Sequence, residues 1–174
     1  SSQIEMREMS KMWLDEAWGE GRHIKRVTKI DANTGIVLTN GVFDILHKGH
    51  IELLKFSKMQ GTKLIVAIDS DRRVKELKGN DRPINNQEDR RRILETNRYV
   101  DEVVIFDSAE ELQGFYDTLS PNVIVKGSEW TADEVRERDN IPENVQIKVY
   151  PLVGDYSTTN TMHKIRDMET CEKI

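Results

Sequence analysis

A doubly wound α/β fold with a parallel sheet of about five strands is predicted for this chain by two observations. Short runs of continuous apolar, β-branched character alternate with stretches of helical spacing. Strands without polar alternation belong to a sheet covered by helices on both faces. The second observation is the stretch from Ile36 to His50, IVLTNGVFDILHKGH, in which an apolar run, an Asn40-Gly41 break and a helix-spaced segment follow one another. That order turns free backbone N–H groups and a positive helix end toward whatever sits above the strand, an arrangement suited to phosphate.

Taken in order, the first segment is a helix. Met6, Met9, Trp13 and Ala17 stand three and four apart, and Gly19 and Gly21 end the pattern. With Met12, Leu14 and Trp18 it carries more apolar surface than one stripe needs, so it is expected to pack on the main domain or on another subunit. Residues 1–34 are read as a helical extension, 35–168 as the main domain and 169–174 as a polar tail. The main domain begins with a strand from Ile36 to Thr39. It continues with a strand over Lys63 to Ile68, a helix over Gln87 to Arg98, a strand over Glu102 to Phe106 and a helix over Ala109 to Leu119. A strand over Asn122 to Val125, a short helix over Thr131 to Arg138, a strand over Val145 to Tyr150 and a helix over Thr158 to Asp167 complete it. The alternation makes the fold Rossmann-like. Right-handed crossovers place every strand's carboxyl end on one edge, where such sheets bind ligands. The segments to inspect are therefore 40–48, 69–82, 126–130 and 154–159.

Composition narrows the function. A net charge of −5 over 174 residues argues against nucleic-acid binding, which rests on a basic surface. One island departs from the average: Arg72 to Arg92 holds eight Lys or Arg against four acids, +4 in a chain whose remainder is about −9. It suits a compact polyanion such as a triphosphate, or it is a solvated helix face. No run of eighteen apolar residues and no signal-like opening occur, so the expectation is a soluble, cytoplasmic protein off the membrane. The single cysteine, Cys171, forms no internal disulfide and fits a reducing compartment.

His47 and His50 stand three apart, so on a first helical turn both imidazoles share a face and reach one ligand. As zinc ligands they lack company: there is no HExxH pattern and no second cysteine. The dinucleotide fingerprint GxGxxG and the phosphate loop GxxxxGK[ST] are both missing.

TNGVFDILHKGHIELL, LKGNDRPIN, EDRRRILETNRYVDEVV, VKGSEW and YSTTNTMHKI occur in this order. Together they resemble the cytidylyltransferase-like nucleotidyltransferases, whose signature is HxGH near the start and an STT-type motif near the end. Within that superfamily the chain is most similar to the adenylyltransferase domain of ADP-heptose synthases, through Leu77-Lys78-Gly79, Arg82-Pro83-Ile84-Asn85, Val125-Lys126-Gly127 and Ser157 to Asn160. It also resembles glycerol-3-phosphate cytidylyltransferases in the helix at Leu94 to Val103 and in Trp130, but has Leu152 where they carry arginine. Glu129-Trp130 departs from the Asp-Tyr of the heptose branch.

The resemblance implies transfer of AMP from ATP, with CTP as the alternative nucleotide, to a sugar 1-phosphate, with release of pyrophosphate. It implies that His47 and His50 donate to the triphosphate and transition state, and that Lys78 closes over the acceptor or the leaving group. Thr39, Asn40, Gly41 and Phe43 would lie against the phosphates, with Asp44 tying down the turn. Arg90 would reach the phosphates, Lys126 and Gly127 would meet the nucleotide, and Ser157, Thr158 and Thr159 would meet the β- and γ-phosphates unless Ser157 is only a helix cap. No protein metal site is implied. Magnesium is expected as a cofactor held mainly by the nucleotide. A homo-oligomer, most simply a dimer, docked through the amino-terminal helix is the expected assembly. A nucleotide-binding assembly module without turnover is the reading from a different class.

Overall fold

The computed structural model describes residues 35–127, 130–151 and 156–171, with side chains through residue 168. The expected amino-terminal helix at 1–34 lies outside the described residues, as does Leu152. Gly35–Ile174 forms a compact unit of its own.

Five strands form one parallel sheet: β1 (Ile36–Gly41), β2 (Lys63–Asp69), β3 (Glu102–Phe106), β4 (Val123–Gly127) and β5 (Gln146–Tyr150). Their order is β3-β2-β1-β4-β5, so the order reverses between β1 and β4, as a doubly wound sheet requires. Helices α1 (Lys48–Lys58), α2 (Asp71–Lys78), α3 (Gln87–Glu95), α4 (Ala109–Leu119), α5 (Ala132–Arg138) and α6 (Thr158–Cys171) connect or follow the strands.

The apolar runs are continuous because both sheet faces are covered. Along β2, Leu64, Val66 and Ile68 face a core shared with Leu54 of α1 and Leu94 of α3. Ile65 and Ala67 face the opposite core, shared with Leu112 and Tyr116 of α4 and Val135 of α5. All five of these β2 side chains are fully buried.

The helices open on polar caps. The side chains of His47, Ser70, Asn86, Ser108 and Thr131 each accept from a backbone N–H three residues on, and Thr131 forms a reciprocal box with Glu134. Ser157 does the same for α6, accepting from the Asn160 N–H at 3.0 Å.

Beyond shifts of one or two residues at the ends of β2, β4 and β5, four elements differ from the sequence reading. First, β1 runs through Asn40-Gly41, because both residues stay in register with Ala67 and Ile68 of β2 and an interior ladder overrides local turn preference. Second, α2 was not expected: it buries only Val74, so it has no apolar period, and its signals are the Ser70 cap and Asp71 in the first turn. Third, α3 stops at Glu95 instead of Arg98. There the Thr96 hydroxyl donates to the Ile93 carbonyl at 2.7 Å and Asn97 accepts from the Tyr99 N–H at 3.0 Å, local bonds that compete with the helix. Fourth, α6 continues to Cys171, into the stretch expected as a polar tail.

Candidate active site

β1 ends in the centre of the sheet, and the chain then turns through Val42 to His47 into α1. Phe43 makes the turn with a positive φ of 48°, uncommon for a residue with a side chain. Its ring is buried and folds back beneath Gly41, where an added Cβ would stand 3.2 Å from the ring. Asp44 holds the turn to the segment before α3. It accepts from the backbone N–H groups of Ile84 and Asn85, each at 2.8 Å, and from Arg82 at 3.2 Å.

His47 is the α1 N-cap and His50 is in the first turn, with the rings stacked at 3.7 Å between centroids and 20° apart in plane. His47 Nδ1 accepts from the His50 backbone N–H at 3.4 Å, which assigns the ring proton to Nε2. Protonating Nδ1 would set two N–H donors against each other. Burial holds the His47 pKa below its usual value. His50 is lowered to about 4 by burial, then by the His47 and Lys78 charges, with the Ile45 carbonyl opposing. Both imidazoles are therefore neutral donors at pH 7 in the free protein.

The depressed pKa of His50 has a cost in stability at low pH. The unfolded chain takes up this proton near 6.5 and the folded chain only near 4, so the contribution is intact above 6.5 and is lost as pH falls toward 4. Between pH 7 and 4 the wild-type protein should lose about 2–3 kcal/mol more unfolding free energy than His50→Gln, measured by urea denaturation at each pH.

α6 brings the far end of the chain to the same place. Thr158 Oγ1 donates to the Ile45 carbonyl at 3.5 Å, and the Tyr156 ring lies 6.4 Å from that of His47. Gly49 makes this approach possible: a Cβ there would stand 3.1 Å from the His47 ring and 3.5 Å from Tyr156 Cβ.

These groups line one cavity of about 600 Å³ above the carboxyl ends of β1, β4 and β5. The volume falls within the ~300–1,000 Å³ typical of small-molecule sites. Of the residues expected from sequence, His47, His50, Lys78, Asn40, Lys126, Gly127, Ser157, Thr158 and Thr159 all line it. Two helix N-termini, α1 and α6, open onto it with their unbonded N–H groups.

The remaining expected residues are placed elsewhere. Thr39 is fully buried and its hydroxyl ties β1 to the Val125 carbonyl of β4 at 2.9 Å. Gly41 sits in the β1–β2 ladder, and Phe43 and Asp44 build the turn from beneath. Arg90 is a correction. It has no exposed surface and donates to the carbonyls of Asn85 at 3.0 Å and Val42 at 2.8 Å and to the Asp71 carboxylate at 2.8 Å. Its guanidinium braces the turn from below and does not reach the cavity.

The basic island dissolves in the same way. Arg72 pairs with Asp107 and Glu76, Arg73 with Asp69, Arg82 with Asp44, and Arg91 with Glu88. Of the island, Lys78 is what faces the cavity.

Sequence reasoning missed the wall formed by Trp130, Arg138, Tyr150 and Tyr156. The Arg138 guanidinium lies 4.9 Å from the Trp130 ring centroid, a cation–π contact at the cavity edge. Trp130 was visible as a departure from a motif, but nothing in the spacing placed Arg138 opposite it. At the cavity floor, burial lowers the Lys126 pKa while Asp139, 2.6 Å away, opposes the shift.

Among the described residues no cluster of three His, Cys, Asp or Glu could hold a metal ion, and no carboxylate lines the cavity. No helix of the described residues is long and apolar enough to cross a membrane.

The family model described as cytidylyltransferase-like matches residues 38–173. The chain is 38% identical over 167 residues to the Bifunctional protein HldE of Campylobacter fetus, covering 87% of this chain and 36% of that protein. It is 42% identical over 130 residues to the Bifunctional protein HldE of Koribacter versatilis, covering 74% and 26%. The chain thus spans about a quarter to a third of the length of these curated relatives. Among solved structures, the lipopolysaccharide core biosynthesis protein from Thermoplasma volcanium gives a TM-score of 0.55 at 26% identity, covering 70% of this chain and 98% of that one. Pantothenate synthetase from Thermus thermophilus shares the fold, with a TM-score of 0.52 at 15% identity over 78% of this chain and 65% of that one. With a match that runs from the middle of β1 through α6 and takes in both sides of the cavity, the chain belongs to the cytidylyltransferase-like family of nucleotidyltransferases.

Proposed function

We propose that this site transfers AMP from ATP to a sugar 1-phosphate such as a heptose 1-phosphate, releasing pyrophosphate. The observation that carries the reading is the meeting of the stacked His47 and His50 with Ser157, Thr158 and Thr159 around one cavity. A phosphate oxygen of the acceptor attacks the α-phosphorus in line; the new P–O bond forms as the bond to the bridging oxygen of pyrophosphate breaks. No proton need be removed from an acceptor already ionised at neutral pH. Positioning and charge stabilisation are therefore the protein's main tasks.

The neutral imidazoles donate through N–H to the triphosphate, α6 offers hydroxyls and amides to its distal phosphates, and Lys78 supplies a cation at the leaving side. Trp130 with Arg138 offers the base a flat platform. Magnesium would be held mainly by the nucleotide's own oxygens and water and would offset charge on the triphosphate. A sugar phosphate is favoured as acceptor by the LKG, RPIN, VKG and STTN stretches and by likeness to a protein named for lipopolysaccharide core biosynthesis. Trp130 in the cavity wall keeps CTP, with glycerol 3-phosphate as acceptor, as the competing reading. A cytoplasmic homodimer remains the assembly we favour, checked by light scattering with and without residues 1–34.

Incubation with each of four nucleoside triphosphates and a panel of sugar phosphates tests the activity. Pyrophosphate is expected with ATP and heptose 1-phosphate. Its absence from every pairing would overturn catalysis and leave a nucleotide-binding assembly module.

Gly127 gives a separate check on where the nucleotide lies. Among the described residues a Cβ added there meets no atom within 4 Å, and Gly127 lines the cavity. Gly127→Val should weaken ATP binding about tenfold or more by calorimetry, with unfolding free energy changed by no more than about 0.5 kcal/mol, as at an unstrained open site.

A further inference from the structure

The floor of the cavity lies at the β1–β4 reversal, where Thr39 and Val125 pair and the next residues, Asn40 and Lys126, come side by side. The Lys126 ammonium donates to Asn40 Oδ1 and to Asp139, the residue that closes α5. An ammonium has three N–H donors, so one is left for the cavity. With its oxygen engaged by Lys126, the Asn40 amide must turn its NH₂ outward, and that group donates to nothing among the described residues. The floor therefore presents an ammonium N–H and an amide NH₂ side by side. Asp139 is bound at the same time by Arg138, at 2.7 Å to Oδ1 and 3.2 Å to Oδ2.

We propose that Asp139 is a positioning residue for nucleotide phosphate: by holding the Lys126 ammonium against Asn40 it fixes a pair of N–H donors that bind phosphoryl oxygens. The inference rests on the reading of the cavity as a triphosphate site and extends it to a residue behind the wall. Asp139 touches no ligand itself. It acts through Lys126, which is nine-tenths buried and would otherwise stand as a cation without a countercharge. Through Arg138 the same carboxylate also sets the guanidinium that lies on Trp130, so one side chain orients the phosphate floor and the aromatic wall.

The charges acting on Lys126 are Asp139 and Arg138 from α5 and Asp69 from the end of β2, with Asn40 of β1 as a neutral partner. Burial lowers the ammonium's pKa and Asp139 is the largest group opposing it. Removing the carboxylate while keeping its shape leaves burial and Arg138 weakly opposed by Asp69. Lys126 should then lose its proton at lower pH.

The test compares wild type, Asp139→Asn and Asp139→Glu in the full chain. NMR of the lysine ε-methylene carbon reads the Lys126 titration, calorimetry reads binding of inorganic tripolyphosphate, and pyrophosphate release from ATP reads turnover against pH. Asp139→Asn is expected to move the Lys126 titration down by about 1–2 pH units, the usual effect of losing one close opposite charge. Tripolyphosphate affinity should fall about tenfold, the scale of a hydrogen bond to a charged group, and the alkaline limb of kcat/KM should move down with the titration. Asp139→Glu should restore most of each. If Asp139→Asn does not fold, Asp139→Glu carries the test through a smaller displacement of the same three readouts. An unchanged Lys126 titration and tripolyphosphate affinity in a folded Asp139→Asn protein would overturn the proposal. So would equal losses in both variants that follow thermal stability alone. If titration and affinity move as expected while wild type releases no pyrophosphate from any pairing, the positioning role stands and the transferase reading falls.

Discussion

Replacing His50 by asparagine is expected to lower kcat for nucleotidyl transfer by about two to three orders of magnitude, the scale seen when one preorganised donor to a developing charge is removed. The loss should fall on kcat more than on KM, because a donor set in the first turn of α1 gains strength as charge builds on the phosphoryl oxygens. The folded protein keeps both imidazoles neutral, His50 to about pH 4, through burial and the neighbouring His47 and Lys78 charges. A mechanism built on neutral N–H donors predicts that wild-type kcat/KM does not rise as pH falls from 8 to 6 and is lost by the time pH reaches the His50 value of about 4. If activity instead rises steeply as pH falls through that range, cationic imidazoles are required and the role given to His47 and His50 fails. Steady-state kinetics in a constant-ionic-strength buffer series decides it.

Arg90→Met should strongly destabilise the described fold. Methionine fills much of the same volume but leaves the Asp71 carboxylate and the carbonyls of Val42 and Asn85 without their donor. Breaking a buried pair from one side costs about 3–5 kcal/mol, and with the Asp71 side chain 31% exposed the low end of that range applies. At roughly 2–4 °C per kcal/mol for a chain near this size, the melting temperature should drop by about 10 °C. Arg90→Lys, with one compact charge in place of a fork, should recover only part of it. A melting temperature within about 2 °C of wild type for Arg90→Met would mean that the brace beneath the turn is dispensable, since such a shift corresponds to under about 1 kcal/mol.

The contrast between His50 and Arg90 shows how far a linear pattern reaches. Both lie in stretches that resemble one family, and both were assigned to phosphate. His50 is held near the cavity by local spacing, since a residue three positions after an N-cap must share its helix face. Arg90 is also in a first helical turn, but its direction depends on carbonyls supplied by Val42 and Asn85, which no local rule brings together. The charge-rich island misleads for the same reason: Asp107 and Asp44, which neutralise Arg72 and Arg82, come from other parts of the chain. Trp130, Arg138 and Tyr156 form a wall whose members are separated by helix and strand, and only one of them stood out in the sequence.

The sequence by itself determined the alternation of strand and helix, the parallel sheet and the two ends of the cavity at HKGH and STT, because apolar period, glycine breaks and capping residues act over a few positions. Tertiary structure alone decided which cations face the cavity and which are bound beneath it. A long side chain's direction follows from the partners that burial forces on it, and those partners arrive from distant strands only when the sheet is assembled.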